Sequence, residues 1–127
     1  MRVHESMSSK HYLTGLLASA ILLYGTSYGQ DPVAVSPEIY TVLFENEDVR
    51  VIDIAIRPGE RDEPHSHPNY MIYVRESGTL LVHPEGEEAY ESTLERGQVR
   101  LLDPVEQHWA ENVGDTVIRL VTIEFKE

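Results

Sequence analysis

Gly59-Glu-Arg-Asp-Glu-Pro-His65-Ser-His67-Pro-Asn-Tyr-Met71-Ile-Tyr73-Val-Arg75-Glu-Ser-Gly78 is the stretch around which the 127-residue chain is organised. His65 and His67 stand one residue apart. In an extended strand successive side chains alternate faces, so both imidazoles lie on one side, close enough to share a metal ion. Two ligands do not complete a site, and the third candidate, His108, comes from about forty residues further on. The chain must therefore fold back on itself to deliver it.

Outside this stretch, short apolar runs alternate with turn signals every eight to twelve residues, the pattern of an all-β sandwich or barrel. The runs are residues 40–44, 49–57, 70–75, 79–83, 89–94, 99–102, 108–112 and 116–125. Pro58-Gly59, Ser77-Gly78, Arg96-Gly97 and Gly114-Asp115 are among the turns between them. Ile52, Ile54 and Ile56 share one face of the second run, as in a half-buried strand. The last run is apolar on both faces, with Val117, Val121, Ile123 and Phe125 on one and Ile118 and Leu120 on the other. A strand covered on both sides in so small a barrel implies a second layer from another subunit, hence a homodimer.

These residues resemble the two cupin motifs. Gly59, five residues, His65-x-His67, three residues, Met71, six residues and Gly78 is similar to the first, with Met71 where the family usually has a metal-binding glutamate. Gly97, Pro104, His108 and Asn112 resemble the second, without its inner glycine and with one residue fewer between Pro104 and His108. The resemblance implies a single-domain double-stranded β-helix, or jelly-roll, barrel over residues 38–127. It also implies one divalent transition metal (Fe, Zn, Mn, Ni or Cu) held by His65, His67 and His108.

An unbroken count in twos from His65 places Asn69, Met71 and Tyr73 on the face of the histidines. Met71 then lines the site or ligates weakly, since a thioether is soft and uncharged. Tyr73 and Arg100 are the catalytic candidates, a phenol for hydrogen bonding and a guanidinium for a substrate carboxylate; Arg75 is a second candidate for that carboxylate. Glu63 and Glu106, close in sequence to the histidines, are candidates to replace the missing glutamate, although acids on turn segments are usually solvated. Trp109 and Tyr90 read as wall or interface residues, and His83, beside Pro84 in a turn, as exposed.

The family resemblance implies a metal-dependent enzyme of dioxygenase, isomerase or lyase type acting on a small organic molecule. Its alternative is a non-catalytic module that binds a metal or small ligand on the same barrel. The net charge of -12 argues against nucleic acid and anionic membrane surfaces as partners. With no cysteine, disulfides and thiolate metal sites are unavailable to the chain.

Residues 1–29 read as a signal peptide. Arg2 and Lys10 give a positive start, Leu13 to Tyr24 an apolar run, and Ser27-Tyr28-Gly29 small residues at the two positions a signal peptidase inspects. That run is too short to span a bilayer, so the expectation is export to the periplasm or the medium, with a mature chain starting near Gln30. Residues 30–37, with two prolines, read as an extended arm or linker.

Overall fold

The structure is a computed structural model, and it describes residues 29–127. The proposed signal segment, residues 1–28 with cleavage near Gly29, thus lies outside the described residues but for its last one. Nine strands and one short helix are present among the described residues. In chain order they are α1 (Pro32–Val35), β1 (Tyr40–Glu45), β2 (Val49–Ile56), β3 (His65–His67), β4 (Tyr70–Glu76), β5 (Gly78–Pro84), β6 (Tyr90–Leu94), β7 (Val99–Leu102), β8 (Val105–Asn112) and β9 (Ile118–Phe125).

All strand pairs are antiparallel and form two sheets. The five-stranded sheet has the order β1-β2-β9-β4-β7 and the four-stranded sheet the order β3-β8-β5-β6. Every expected run is a strand to within a few residues. The one element not anticipated as separate is β3, which lies in the four-stranded sheet while β4 lies in the other.

The core sits between the sheets. Ile52, Ile54 and Ile56 of β2 are buried, as the alternation predicts, together with Ile72 and Val74 of β4 and Ile118 and Leu120 of β9. Fully burying a side chain of this size stabilises the fold by about 1.5–3 kcal/mol. Two motif residues are explained by this packing. A side chain at Gly78 would place its first carbon 2.3 Å from Cγ1 of Ile118, so only glycine fits where β5 begins. Asn112 is buried and donates to the carbonyls of Ile56 at 2.9 Å and Thr116 at 2.7 Å, tying the end of β8 to β2 and to the turn before β9.

The arm is not an extended linker. Asp31 caps α1 by accepting from the Val33 N–H at 3.1 Å, and Pro32 at the first turn supplies the φ that a helix start needs. The arm is also bonded to the barrel next to the paired histidines. The Ser66 hydroxyl donates to the Gly29 carbonyl and its N–H to that of Gln30, at 2.8 and 2.9 Å, while Ser36 Oγ accepts from the Glu63 N–H at 2.8 Å. Asp31 further pairs with Arg50 of β2.

Candidate metal centre

The Pro-flanked β3 carries His65 and His67 with Ser66 between them, so both rings point into the barrel and both are buried. In the neighbouring β8, His108 stands opposite His65 in register. Nε2 of His65 lies 3.0 Å from Nε2 of His67 and 3.1 Å from Nε2 of His108. The three residues each offer a ligand atom, all within 4.8 Å of one another.

The other nitrogen of two of these rings decides what the cluster can do. Nδ1 of His65 donates to the Glu63 carbonyl and Nδ1 of His67 to the Glu124 carboxylate, both at 2.8 Å. A carbonyl or a carboxylate can only accept, so each Nδ1 carries the proton and a neutral ring keeps its lone pair on Nε2. Nor does Tyr40 cap His65, 3.3 Å away, because its hydroxyl hydrogen is committed to Asp62 at 2.6 Å. Lone pairs facing each other at 3.0 Å in a buried site repel unless a positive centre lies between them. Two nitrogens bound about 2.0–2.1 Å from one ion lie about 3 Å apart at a right angle. The donor set therefore fits a divalent metal.

Protons are a poor substitute for that ion. Burial, followed by the neighbouring His65 and His67, pushes His108 down to about 3. Burial and His67 likewise lower His65, against a smaller opposing effect of Asp62. For Glu124 burial is the largest single influence and acts upward, yet the His67 and Arg50 contacts outweigh it and keep the carboxyl below its ordinary value. Arg50 holds Glu124 at 2.7 Å and Asp31 at 2.9 Å, so a charged chain Asp31–Arg50–Glu124–His67 orients the ring. Such outer partners fix the tautomer and orientation of a metal-binding imidazole.

Met71 is placed differently from the unbroken count. β3 ends at His67, and the chain bends through Pro68 and Asn69 into the other sheet, so the alternation restarts at Tyr70. Tyr70, Ile72 and Val74 are buried and face inward, which puts Met71 and Tyr73 on the outer face. The register shift between Val74 and Glu76 lies beyond these residues and affects only the end of β4. Met71 accordingly sits beside Leu101 and Ile123, and Tyr73 is 43% exposed. Neither faces the histidines. Tyr70 does, its ring stacked on His67 with centroids 4.5 Å apart.

Arg100 faces inward from β7 and lines the cavity that His67 and His108 also line. Arg75 is instead on the outer face, paired with Asp53 at 3.2 Å. The side chains of Glu63 and Glu106 are exposed, and the carboxylate that reaches the cluster, through His67, is Glu124. His83 is not exposed but half-buried, stacked on Trp109 with centroids 3.6 Å apart, and Arg61 lies over the same Trp ring. Sequence reading also missed Tyr40, Asp62 and Tyr70. One signal for Glu124 was present, an acid at the inward parity of an otherwise apolar strand.

The cupin domain family matches residues 52–124. Among solved structures, a cupin domain from Bordetella pertussis Tohama I is 31% identical with a TM-score of 0.66, covering 70% of this chain and 93% of its own. A double-stranded β-helix protein from Klebsiella pneumoniae is 23% identical with a TM-score of 0.54, covering 70% of this chain and 84% of its own. An RmlC-like cupin family protein from Methanocaldococcus jannaschii is 15% identical with a TM-score of 0.57, covering 69% and 79%. The last two speak to the fold alone. No curated protein sequence matches the chain. With the motif spacing, the two-sheet barrel and the converging histidines in agreement, the chain belongs to the cupin family.

Proposed function

We propose that the protein is a metal-dependent cupin enzyme that acts on a small organic molecule, with one divalent transition metal held by His65, His67 and His108. The observation that carries this reading is the convergence of the Nε2 atoms, with the protons of His65 and His67 pinned on the far side of their rings. When bound, such an ion supplies Lewis acidity or a site for substrate and dioxygen together, the chemistry of isomerases and lyases in the first case and of dioxygenases in the second. Three neutral ligands leave its charge undiminished and leave coordination positions free, the pattern of a catalytic rather than a structural site. Glu124 holds His67 in its ligating tautomer, and aliphatic side chains line the cavity beside the cluster.

The decisive experiment is turnover by purified protein loaded with each candidate metal. Steady product formation that stops on chelation and returns on reloading is the expected result. A non-catalytic binding module would take up metal and ligand without turnover.

Two further readings belong to this proposal. The first is export, supported by the leader pattern of residues 1–29. The second is a homodimer formed through the outer face of the five-stranded sheet. There Phe44, Val51, Ile123, Met71 and Leu101 form one apolar row across all five strands. In the next row Asp53 is neutralised by Arg75. A second copy of this acidic chain can approach such a face without like charges meeting.

A further inference from the structure

Between the sheets, next to the histidines, lies a cavity of about 140 Å³, half of whose lining residues are aliphatic, Ile54, Ile72, Leu80 and Leu120 among them. At about 30 Å³ per water it has room for about five waters or one small organic molecule. Two polar groups of its wall are left only partly satisfied or unsatisfied by the protein. Arg100 donates to Ser92 Oγ at 2.8 Å, the Thr93 carbonyl at 2.6 Å and Gln98 Oε1 at 3.2 Å, all uncharged acceptors. Among the described residues no carboxylate pairs with it, and two of its five N–H groups have no partner. Thr122 is 1% exposed, and its hydroxyl has no hydrogen-bond partner among the described residues. An orphaned buried hydroxyl is costly unless something else in the cavity satisfies it.

These two features are aligned. Thr122 of β9, Ile72 of β4 and Arg100 of β7 are register neighbours on the inward face, so the hydroxyl and the guanidinium border the same row of the cavity. Glu124, Tyr70 and Leu102 form the adjacent row, the one nearer the histidines. A cation at one end, metal-ligating nitrogens at the other and aliphatic walls between them match one kind of molecule.

We infer that the cavity binds a short-chain aliphatic carboxylate, its carboxylate on Arg100 and the Thr122 hydroxyl and its far end at the three histidines. The aliphatic part of the wall favours an apolar body. A carboxylate matches the planar guanidinium fork and carries the one charge that it neutralises. Asp62, the acid in the lining, does not compete for Arg100, since its oxygens already accept from the Tyr40 hydroxyl at 2.6 Å and the Ala110 N–H at 2.7 Å. This inference names the substrate class for the site proposed above and rests on that reading for the ligand's far end.

The test uses butyrate, with n-butanol as its uncharged counterpart. Binding is followed by NMR line broadening and chemical-shift changes on the full protein, both stripped of metal by chelation and loaded with Zn(II). The expected result is butyrate binding in both forms, weakened at least tenfold by Arg100→Gln and severalfold by Thr122→Val, with butanol binding unchanged. Because Arg100 also holds Ser92 and Thr93 of β6, Arg100→Gln could weaken the barrel itself. Thr122→Val removes only an unsatisfied hydroxyl and keeps the fold, so it decides the matter in that event. Equal butyrate binding by the wild type and both variants overturns the inference. Butyrate binding that requires metal and ignores Arg100 also overturns it, while leaving the metal reading intact. Arg100-dependent binding by a protein that takes up no metal does the reverse.

Discussion

Most of the inner face of the five-stranded sheet supplies the aliphatic core, but close to the histidines its polar residues point inward and an apolar row points outward. Its inner face, near the histidines, carries Arg50, Glu124, Thr122 and Arg100, whereas the corresponding outer row reads Phe44, Val51, Ile123, Met71 and Leu101. Leu101 is 76% exposed while Glu124 is 4% exposed. Isolated exposed apolar residues need no explanation, but a buried acid held by a charged partner and a histidine does, because burying it unpaired costs several kcal/mol. The inner polar residues are explained by what they hold, and the outer apolar row is what the proposed dimer would cover.

The largest expected effect comes from breaking the inner side at its most buried charge. Glu124→Ala leaves the Arg50 guanidinium with Asp31 alone and the His67 Nδ1–H with no acceptor. Removing one partner of a buried pair costs about 3–5 kcal/mol. A fall of that size in the free energy of unfolding, measured by denaturant titration, is expected. Glu124→Gln keeps an acceptor for the ring and should lose less stability, yet weaken metal binding about 10- to 100-fold, as loss of an outer partner does.

Acidification probes the same side more gently. In the metal-free protein the folded-state pKa of His108 is about 3, against an ordinary value of 6.5, and that of His65 is lowered as well. At His108 the unfolded chain therefore takes up a proton below pH 6.5 that the folded chain refuses until near pH 3, and His65 acts in the same direction. The stability these groups contribute is present above pH 6.5 and is lost as pH falls from 6.5 towards 3. Glu124, also lowered, adds to the loss in the same direction below its ordinary value of 4.5. Denaturant midpoints of metal-free protein should thus fall between pH 7 and pH 5. A flat profile across that interval would show that these rings are not buried as neutral bases.

The smallest expected effect sharpens the comparison from the outside. Met71→Glu adds a carboxylate to the outer row beside Leu101 and Ile123. Metal affinity should be unchanged and stability should fall by about 1 kcal/mol or less, as for most substitutions at a partly exposed position. Sedimentation should show weaker self-association, since the new charges meet across the proposed dimer face. Tighter metal binding by this variant would place residue 71 on the inner face after all.

The sequence made the four-stranded side of the site legible and left the five-stranded side obscure. His65, His67 and His108 could be found because an HxH pair inside one strand obeys simple alternation, and β3 is such a strand. Tyr70 and Met71 could not be sorted, because a two-residue bend at Pro68-Asn69 resets the parity between β3 and β4. Glu124 and Thr122 were hidden by the apolar residues around them, which made β9 read as apolar on both faces. Arg100 was a candidate from its residue type alone. Its separation from Arg75 needed the register, which puts one in the cavity and the other against Asp53.

Metal content tests the central claim most directly. Protein purified from its own compartment, analysed for bound elements, should carry one divalent transition metal per chain. His67→Ala and His108→Ala, each removing one of three converging nitrogens, should each lose most of it while remaining folded by circular dichroism. Full metal content in both variants would contradict the account.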